Sequence, residues 1–309
     1  MNALRPLDAL LHAALLLVLP PLLPGVVARV KAIVAGRRGP PLLQPYRDLA
    51  RLVRKGAVYG EGTSWVFRAG PVISLATALA AGLLLPLHAR VAPLLFPGDV
   101  VAFAALLGLG RFFTVAAALD TGSAFEGMGA SREASFGALA EPVLLLVLTL
   151  LCVAVGQAGF SEVLEPGKAD AAVFTHPVLV VAAAALFVVL LSENSRIPVD
   201  DPNTHLELTM IHEVMVLDHS GPDLAFIEYG AAVKLFLFAA LLTHLVLPFP
   251  AGGPAGAGVL LAGTLAVAVA VGLVESLMAR LPLRRVPQLL MSAGALAALG
   301  LAVILQRGP

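Results

Sequence analysis

Several ionisable side chains of this sequence lie inside or beside long apolar segments, where a charge is expensive. Arg111 is flanked on both sides by apolar or small residues, and Glu141, Glu193, Glu228 and Lys234 interrupt or border other such segments. An ionisable residue at membrane depth carries a large free-energy cost and marks an ion pathway by default. These five residues are therefore our first candidates for a path that carries protons into a membrane.

The densest group of carboxylates lies in the segment 194–224. Glu207 and Glu213 occur there among Leu, Met and Val side chains, and Asp218 and Asp223 follow them. A fully solvated acidic loop would not favour these apolar neighbours, so we expect part of the segment to be dry. Carboxylates in a partly dry place can exchange protons near neutral pH. The pattern predicts a proton relay that includes Glu207 and Glu213.

Two histidines occur in the same segment. His205, Thr209 and His212 are spaced so that they share one face of a helix predicted to begin after Pro202-Asn203-Thr204. This spacing matches no zinc signature, and no third ligand lies in register. We expect ordinary polar packing of these side chains and predict no metal site in this chain.

Long apolar segments must position all of these residues. Of the 309 residues, 59% are apolar and 13% are charged, and the mean hydropathy is +0.93. Since a soluble domain carries about a quarter charged residues, lipid is the main solvent of this chain. We predict an all-α, polytopic membrane protein with a single integral membrane domain over residues 1–309. It has about eight transmembrane helices plus cytoplasmic amphipathic helices.

The predicted transmembrane helices cover 7–29, 68–89, 99–119, 136–157, 176–193, 225–247, 257–279 and 287–306. The predicted cytoplasmic loops cover about 30–67, 120–135, 194–224 and 280–286. Glu275 falls near the end of the seventh helix, where a long side chain can reach the membrane surface. We therefore interpret Glu275 as a surface carboxylate.

Positive charge predicts the orientation of these helices. Cations are concentrated in 29–68 and 280–285 and recur at Arg132 and Arg196, whereas the other side has few. By the positive-inside rule the cation-rich side is cytoplasmic, so both termini are predicted on the periplasmic side. The cations follow the first apolar segment, the reverse of a signal peptide, which predicts a retained helix.

The first cytoplasmic loop contains an expected amphipathic helix from Pro45 onward. Leu49, Leu52 and Val53 recur there at helical spacing with cations between them. Attraction to lipid headgroups explains the cations. It does not explain the dense turn 36–40, which contains Arg37 and Arg38.

Composition excludes several classes of function. The net charge of zero gives no reason to expect nucleic acid as a partner. A single cysteine, Cys152, cannot hold an iron–sulfur cluster. No internal repeat is visible, so there is no sequence sign of an inverted-repeat transporter.

Long motifs resemble a known family. The run 193–200, Glu-Asn-Ser-Arg-Ile-Pro-Val-Asp, resembles the membrane subunit that complex I shares with energy-converting hydrogenases, the respiratory-chain NADH dehydrogenase subunit 1 family. The runs 203–213, 39–48 and 120–133 are similar to its hydrogenase branch, typified by formate hydrogenlyase subunit 4. The resemblance covers nearly the whole chain.

The resemblance implies a function within a complex. The chain would anchor a peripheral redox arm and couple hydrogen formation to proton or sodium translocation in a bacterial or archaeal cytoplasmic membrane. The implied partners are the hydrogenase small and large subunits, an iron–sulfur protein, an antiporter-like membrane subunit and lipid. The [NiFe] centre and the iron–sulfur clusters are expected in those partners, and none in this chain.

The resemblance also implies roles for particular residues. The polar path into the membrane would be lined by Glu141, Glu193, Glu207, Glu213 and Glu228. The expected cavity and arm interface comprises Arg37, Arg38, Gln44, Tyr46, Arg47, Asp48, Asp120, Glu126, Arg132, Glu133, Arg196, Asp200, Asp201, His205 and His212.

Three other functions stay open at this point. The first is a quinone-binding subunit, as in complex I, although the hydrogenase-type runs replace the quinone-site sequences of that complex. The second is a stand-alone secondary transporter, which would show broken helices at the bilayer midplane. The third is a scaffold whose charges only hold partner loops.

Overall fold

The computed structural model describes residues 6–88, 91–164, 177–200, 210–247, 249 and 253–307, and every regular element in these ranges is helical. The α-helices are α1 (Pro6–Val18), α2 (Leu22–Val34), α3 (Gln44–Val53), α4 (Trp65–Leu84), α5 (Asp99–Asp120), α6 (Ala124–Val155), α7 (Phe160–Val163), α8 (Pro177–Glu193), α9 (His212–Met215), α10 (Gly221–Val246), α11 (Gly253–Leu277) and α12 (Val286–Arg307). A 3-10 helix, Leu283–Arg285, precedes α12.

The polytopic all-α architecture is confirmed. Among the described residues, α4, α5, α6, α10, α11 and α12 are long and apolar enough to cross a membrane, and the bent pair α1–α2 makes a seventh candidate. The fifth predicted helix corresponds to α8, which covers 17 residues, about 25 Å, within the described part of the chain. Glu193 is its last residue.

The first predicted helix, 7–29, is not one continuous helix. It consists of α1 and α2, which meet at an angle of 43°, and α2 continues to Val34. Pro20 and Pro21 lie in the break, and neither has the N–H that would continue the helical ladder. Two tyrosine hydroxyls take over as donors. The Tyr229 hydroxyl donates to the Leu17 carbonyl oxygen at 2.8 Å, and the Tyr46 hydroxyl donates to that of Val18.

Tyr229→Phe is expected to destabilise the chain by about 1–3 kcal/mol, because the Leu17 carbonyl loses its donor beside lipid. The measurement is the midpoint of thermal unfolding in detergent. Tyr46→Phe is expected to lower it as well, and the double variant more than either single one. A double variant as stable as the unmodified chain would show that the hydroxyls do not support the break.

The amphipathic helix predicted in the first cytoplasmic loop is confirmed as α3, Gln44–Val53, and none of its residues is fully buried. It packs against α10 and α2. The Gln44 amide donates to Asp48 Oδ1 one turn later, at 2.9 Å. This helix therefore packs on the protein as well as presenting an exposed cationic face.

The predicted loop 120–135 is mostly helix. α6 begins at Ala124 and runs without interruption through 32 residues to Val155, about 48 Å at 1.5 Å per residue. Its first turns therefore extend beyond the apolar layer on the cation-rich side. Polar residues in these turns lower the average hydropathy, so the sequence did not predict this part of the helix. Glu126, one of these polar residues, is nevertheless buried and hydrogen-bonded inside the protein. Glu141 consequently lies well inside α6 and does not open it.

The helix that the sequence predicts after Pro202 is not continuous in the described residues from 210 onward. Met210 and Ile211 are not helical, and α9 begins only at His212. Ile211 has φ −120° and ψ −74°, outside the helical region. Residues 201–209 lie outside the described residues, and with them the predicted shared face of His205 and His212.

Candidate functional site

A buried ion network occupies the centre of the helix bundle. The Arg111 guanidinium, on α5, contacts three carboxylates: Nη1 lies 2.5 Å from Glu141 Oε1, Nε lies 3.2 Å from Glu133 Oε1, and Nη2 bonds Glu193. Only 8% of the Arg111 side chain is exposed. A guanidinium stays charged under all ordinary conditions. Arg111 therefore holds the three carboxylates in place and does not itself take up or release a proton.

Lys234, on α10, adds a second cation. Its Nζ lies 2.8 Å from Glu193 Oε2, so the two oxygens of this one carboxylate face two different cations. The Glu193 side chain is 1% exposed, whereas that of Glu141 is 42% exposed. Three carboxylates thus face two cations, and one added proton would balance their formal charge. Glu141 is thus the most exposed member of the network.

Helix packing explains how residues so distant in sequence meet. Gly137 on α6 faces Arg111: a Cβ at this position would lie 2.7 Å from Arg111 Nη1. Gly108 on α5 likewise leaves room for the Glu141 carboxylate, 3.2 Å from where its Cβ would be. These two glycines allow α5 and α6 to pass close enough for a direct ion pair. Glu193, at the end of α8, then lies at the same depth as Arg111 and contacts it.

A cavity of about 140 Å³ adjoins the network. Arg111, Glu193 and Lys234 line it together with the hydroxyl groups of Ser74 and Thr77 on α4. Since water takes up about 30 Å³ per molecule in the liquid, the space suits a short chain of waters. Its charged and hydroxyl-bearing side chains lie among apolar ones, so it offers a wet space with hydrogen-bonding groups beside the network.

Glu275 forms a second buried ion cluster, and its interpretation as a surface carboxylate is wrong. Its side chain is fully buried, 2.8 Å from Lys31 Nζ on α2 and 3.6 Å from an Arg196 nitrogen. Gly272, one turn earlier on α11, packs on Val30 of α2, and this close approach brings Lys31 to the carboxylate. If the Glu275 carboxylate reached the membrane surface, Lys31 and Arg196 would both lose their ion pair with it.

The segment from Glu193 to Asp200 connects these clusters. Arg196 contacts Glu275, and the Asp200 carboxylate lies 2.6 Å from Arg280 Nη2 and accepts the His212 backbone N–H at 3.0 Å. Ion pairs at Glu193, Arg196 and Asp200 thus hold both ends and the middle of this segment. Movement of this segment would change the partners of Glu193 and Glu275 together.

The other predicted path residues lie apart from the network. Glu228 is exposed on α10, within electrostatic range of Glu213 on α9 and Asp48 on α3. None of the three lines the described cavity. We call Asp48, Glu213 and Glu228 the outer acid group. Glu207, the remaining predicted carboxylate, lies outside the described residues.

The residues expected at the arm interface fall into two sets. Arg37, Arg38 and Arg47 are exposed on the cation-rich side and free of the protein core. Asp120 accepts the backbone N–H groups of Ser64 and Phe67 and so caps α4. The Asp120 carboxylate therefore holds the start of α4 and forms bonds within this chain.

Two further interface candidates tie α6 to the segment before α10. Glu126 Oε1 accepts the backbone N–H of Asp218 at 3.2 Å, and Arg132 Nη1 donates to the Met210 carbonyl oxygen at 2.8 Å. Asp201 and His205 lie outside the described ranges. Within those ranges, no group of three or more His, Cys, Asp and Glu side chains could hold a metal ion.

Sequence reasoning missed the partnership of Lys31 with Glu275 and that of Arg280 with Asp200, because both cations were interpreted only as indicators of orientation. It also placed Glu133 at the arm interface, whereas Glu133 contacts Arg111. Glu133 lies eight residues before Glu141, so the two share one face of α6. That spacing was the available signal, but it required knowing that the helix starts at Ala124.

Known proteins match this chain over most of its length. The family model described as NADH dehydrogenase matches residues 7–306. Hydrogenase-4 component C of Escherichia coli (strain K12) is 34% identical over 78% of this chain and 75% of its own length. Formate hydrogenlyase subunit 4 of the same organism is 31% identical over 94% of each chain.

The fold is also shared with a solved structure. A chain of the membrane-bound sulfane sulfur reductase, an archaeal respiratory membrane complex, superposes with a TM-score of 0.84. The match covers 96% of this chain and 98% of that one, at 20% identity.

Proposed function

This chain belongs to the NADH dehydrogenase family, and from that premise we propose that it is the membrane-anchoring, ion-path subunit of an energy-converting hydrogenase complex of formate hydrogenlyase type. Its relatives named hydrogenase-4 component C and formate hydrogenlyase subunit 4 support the type of complex. The buried network of Arg111, Glu133, Glu141, Glu193 and Lys234 is the observation that carries the coupling role.

The network supports a proton step within this chain. A proton that arrives at Glu141 or Glu133 weakens the hold of that carboxylate on Arg111, and the guanidinium then pairs more strongly with Glu193. Glu193 in turn pulls less on Lys234, whose ammonium can release a proton to the adjoining cavity. Each transfer exchanges one ion pair for another, so no buried charge is left alone at any stage.

Redox chemistry enters through partners. The proposal assigns the [NiFe] centre and the iron–sulfur clusters to the hydrogenase and iron–sulfur subunits, and it assigns no catalytic centre to this chain. Electrons would reduce protons to hydrogen in the peripheral arm, docked on the cation-rich, cytoplasmic side. An antiporter-like subunit would continue the ion path through the membrane, and both termini of this chain would be periplasmic.

Glu193→Gln is the direct test of the coupling role. In membrane vesicles that contain the native complex, we expect hydrogen production to continue when an uncoupler is present. The membrane potential formed per hydrogen should fall roughly tenfold, because a neutral amide at position 193 no longer links the charge of Arg111 to that of Lys234. Glu61→Gln, an exposed carboxylate outside the network, is the control and should couple normally. Full coupling in assembled Glu193→Gln complexes would refute the assignment.

Docking of the arm is tested on the exposed turn before α3. Reversing Arg37 and Arg38 to glutamate is expected to release the peripheral subunits while the chain still inserts, since like charges replace the attraction. Co-purification after affinity capture of this chain measures the loss, and Arg37→Lys with Arg38→Lys is the charge-preserving control. Undiminished recovery of the hydrogenase subunits with the reversed turn would contradict this docking surface.

The alternatives left open by the sequence predict different results. A quinone-binding subunit predicts that quinone analogues inhibit the complex, and a stand-alone transporter predicts ion transport by the purified chain alone. A scaffold predicts that Glu193→Gln disturbs assembly but leaves coupling intact in the complexes that form.

A further inference from the structure

Two buried histidines lie at the end of the bundle opposite the cation-rich side. His12 is on α1 and His88 follows α4; their ring centroids are 6.3 Å apart, and both side chains are almost fully buried. Asp8, one turn before His12, places Oδ1 3.8 Å from His88 Nε2. The Asp8 side chain is 30% exposed, so it connects the two imidazoles with the outside.

The His88 imidazole is a buried titratable group in need of a partner. Neither of its ring nitrogens has a hydrogen-bond partner among the described residues, and its side chain is 0% exposed. A polar group buried in this way is costly unless it is hydrogen-bonded to protein or to water. Burial lowers the pKa of His88, and the Asp8 carboxylate opposes that shift. The imidazole therefore releases a proton more readily than an exposed histidine does.

His12 extends the group towards the interior. Its Nε2 lies 3.0 Å from the Gly82 carbonyl oxygen on α4. Thr77, which lines the central cavity, is five residues earlier on the same helix, about 7.5 Å along its axis. Ala81 lies between them on α4, Leu16 of α1 packs against Gly82, and both side chains are buried. Apolar side chains therefore lie between His12 and this part of the cavity lining.

The surroundings bring few other charges. His244 on α10 lies beside the backbone of Pro86 and Leu87, and it stacks on Phe249 with 3.8 Å between ring centroids. Gly256 of α11 packs against the His88 carbonyl oxygen, and α11 carries no charged residue before Glu275. Arg90 lies outside the described residues. Asp8 is thus the carboxylate that the structure places against His88.

We propose that His12, His88 and Asp8 form a proton-release site on the face opposite the cation-rich loops, so that this chain holds both an inner proton store and an outer exit. This inference rests on the proposed function and specifies the ion as a proton. His12 and His88 would take up protons that leave the cavity beside Lys234, and Asp8, which meets the outside, would release them.

The test uses the whole native complex in liposomes, with reduced methyl viologen as electron donor and a pH-sensitive dye to follow proton movement. Asp8→Asn removes the outer carboxylate without opening a buried space, and His88→Gln removes the buried imidazole. Each is expected to lower protons moved per hydrogen at least about fivefold, while hydrogen production with an uncoupler stays unchanged. His219→Gln is the control, because this buried histidine stacks on Phe67 at the other end of the bundle.

The outcomes separate the two proposals. Reduced coupling in Glu193→Gln together with full coupling in Asp8→Asn and His88→Gln overturns the exit site and leaves the proposed function standing. Full coupling in all three variants overturns both. Translocation that depends on sodium and ignores Asp8→Asn also overturns the exit site. If His88→Gln complexes do not assemble, Asp8→Asn alone decides.

Discussion

Replacing Arg111 with glutamine is expected to destabilise the chain by about 3–5 kcal/mol, the largest effect of any single substitution considered, because a buried ion pair that loses one partner leaves the other charge uncompensated. Here three carboxylates lose the cation that they share, and only Lys234 remains beside Glu193. The loss is measured as the fall in the thermal midpoint of the detergent-purified chain and in recovery of assembled complex.

Two companion variants show whether charge is the cause. Arg111→Lys keeps the charge but lacks the planar fork that reaches three carboxylates at once, so an intermediate loss is expected. The pair Arg111→Gln with Glu193→Gln removes one charge of each sign and is expected to recover part of the stability. A double variant less stable than Arg111→Gln alone would show that packing, and not charge balance, governs this site.

Glu275→Gln is expected to cost about 2–3 kcal/mol, because Lys31 and Arg196 then share a site without a negative charge. The cost is below that of Arg111→Gln, since both cations are partly exposed and solvent screens them. Glu275→Gln should also lower the potential formed per hydrogen. Arg196 is one of three residues that hold the segment 193–200 through ion pairs, and without Glu275 this segment should hold Glu193 less firmly.

The matched control lies next to Glu275 on the same helix. Ser276→Ala removes a hydroxyl that donates only to the Gly272 carbonyl of its own helix, at 2.7 Å, and should change stability by no more than a few tenths of a kcal/mol. Thermal midpoints and the potential formed per hydrogen are compared across the two variants. Equal midpoints for Glu275→Gln and the unmodified chain would mean that the cluster contributes nothing to stability.

Much of the fold follows from local features of the sequence. Long apolar runs predict helices in lipid because each backbone polar group must be bonded within its own segment there. The spacing of Leu49, Leu52 and Val53 predicts α3, and the structure has it. The break between α1 and α2 was missed, although Pro20-Pro21 was a visible signal for it.

Hydropathy averages concealed two boundaries. The start of α6 was placed at 136, since polar side chains such as Glu126 and Arg132 lower the average although the protein bonds them internally. α8 had the expected range, but the position of its terminal Glu193 beside Arg111, in the middle of α5, was not foreseen.

By itself the sequence determined that the chain is helical and membrane-bound, that cations gather on one side, and that carboxylates of a recognisable family pattern lie near them. Only the tertiary structure decided which charges meet: Arg111 with Glu193, and Glu275 with Lys31. The physical reason is that periodicity and hydropathy are local properties of one segment. Ion pairing depends on the relative rotation and depth of different helices, which close contacts at Gly137 and Gly272 set.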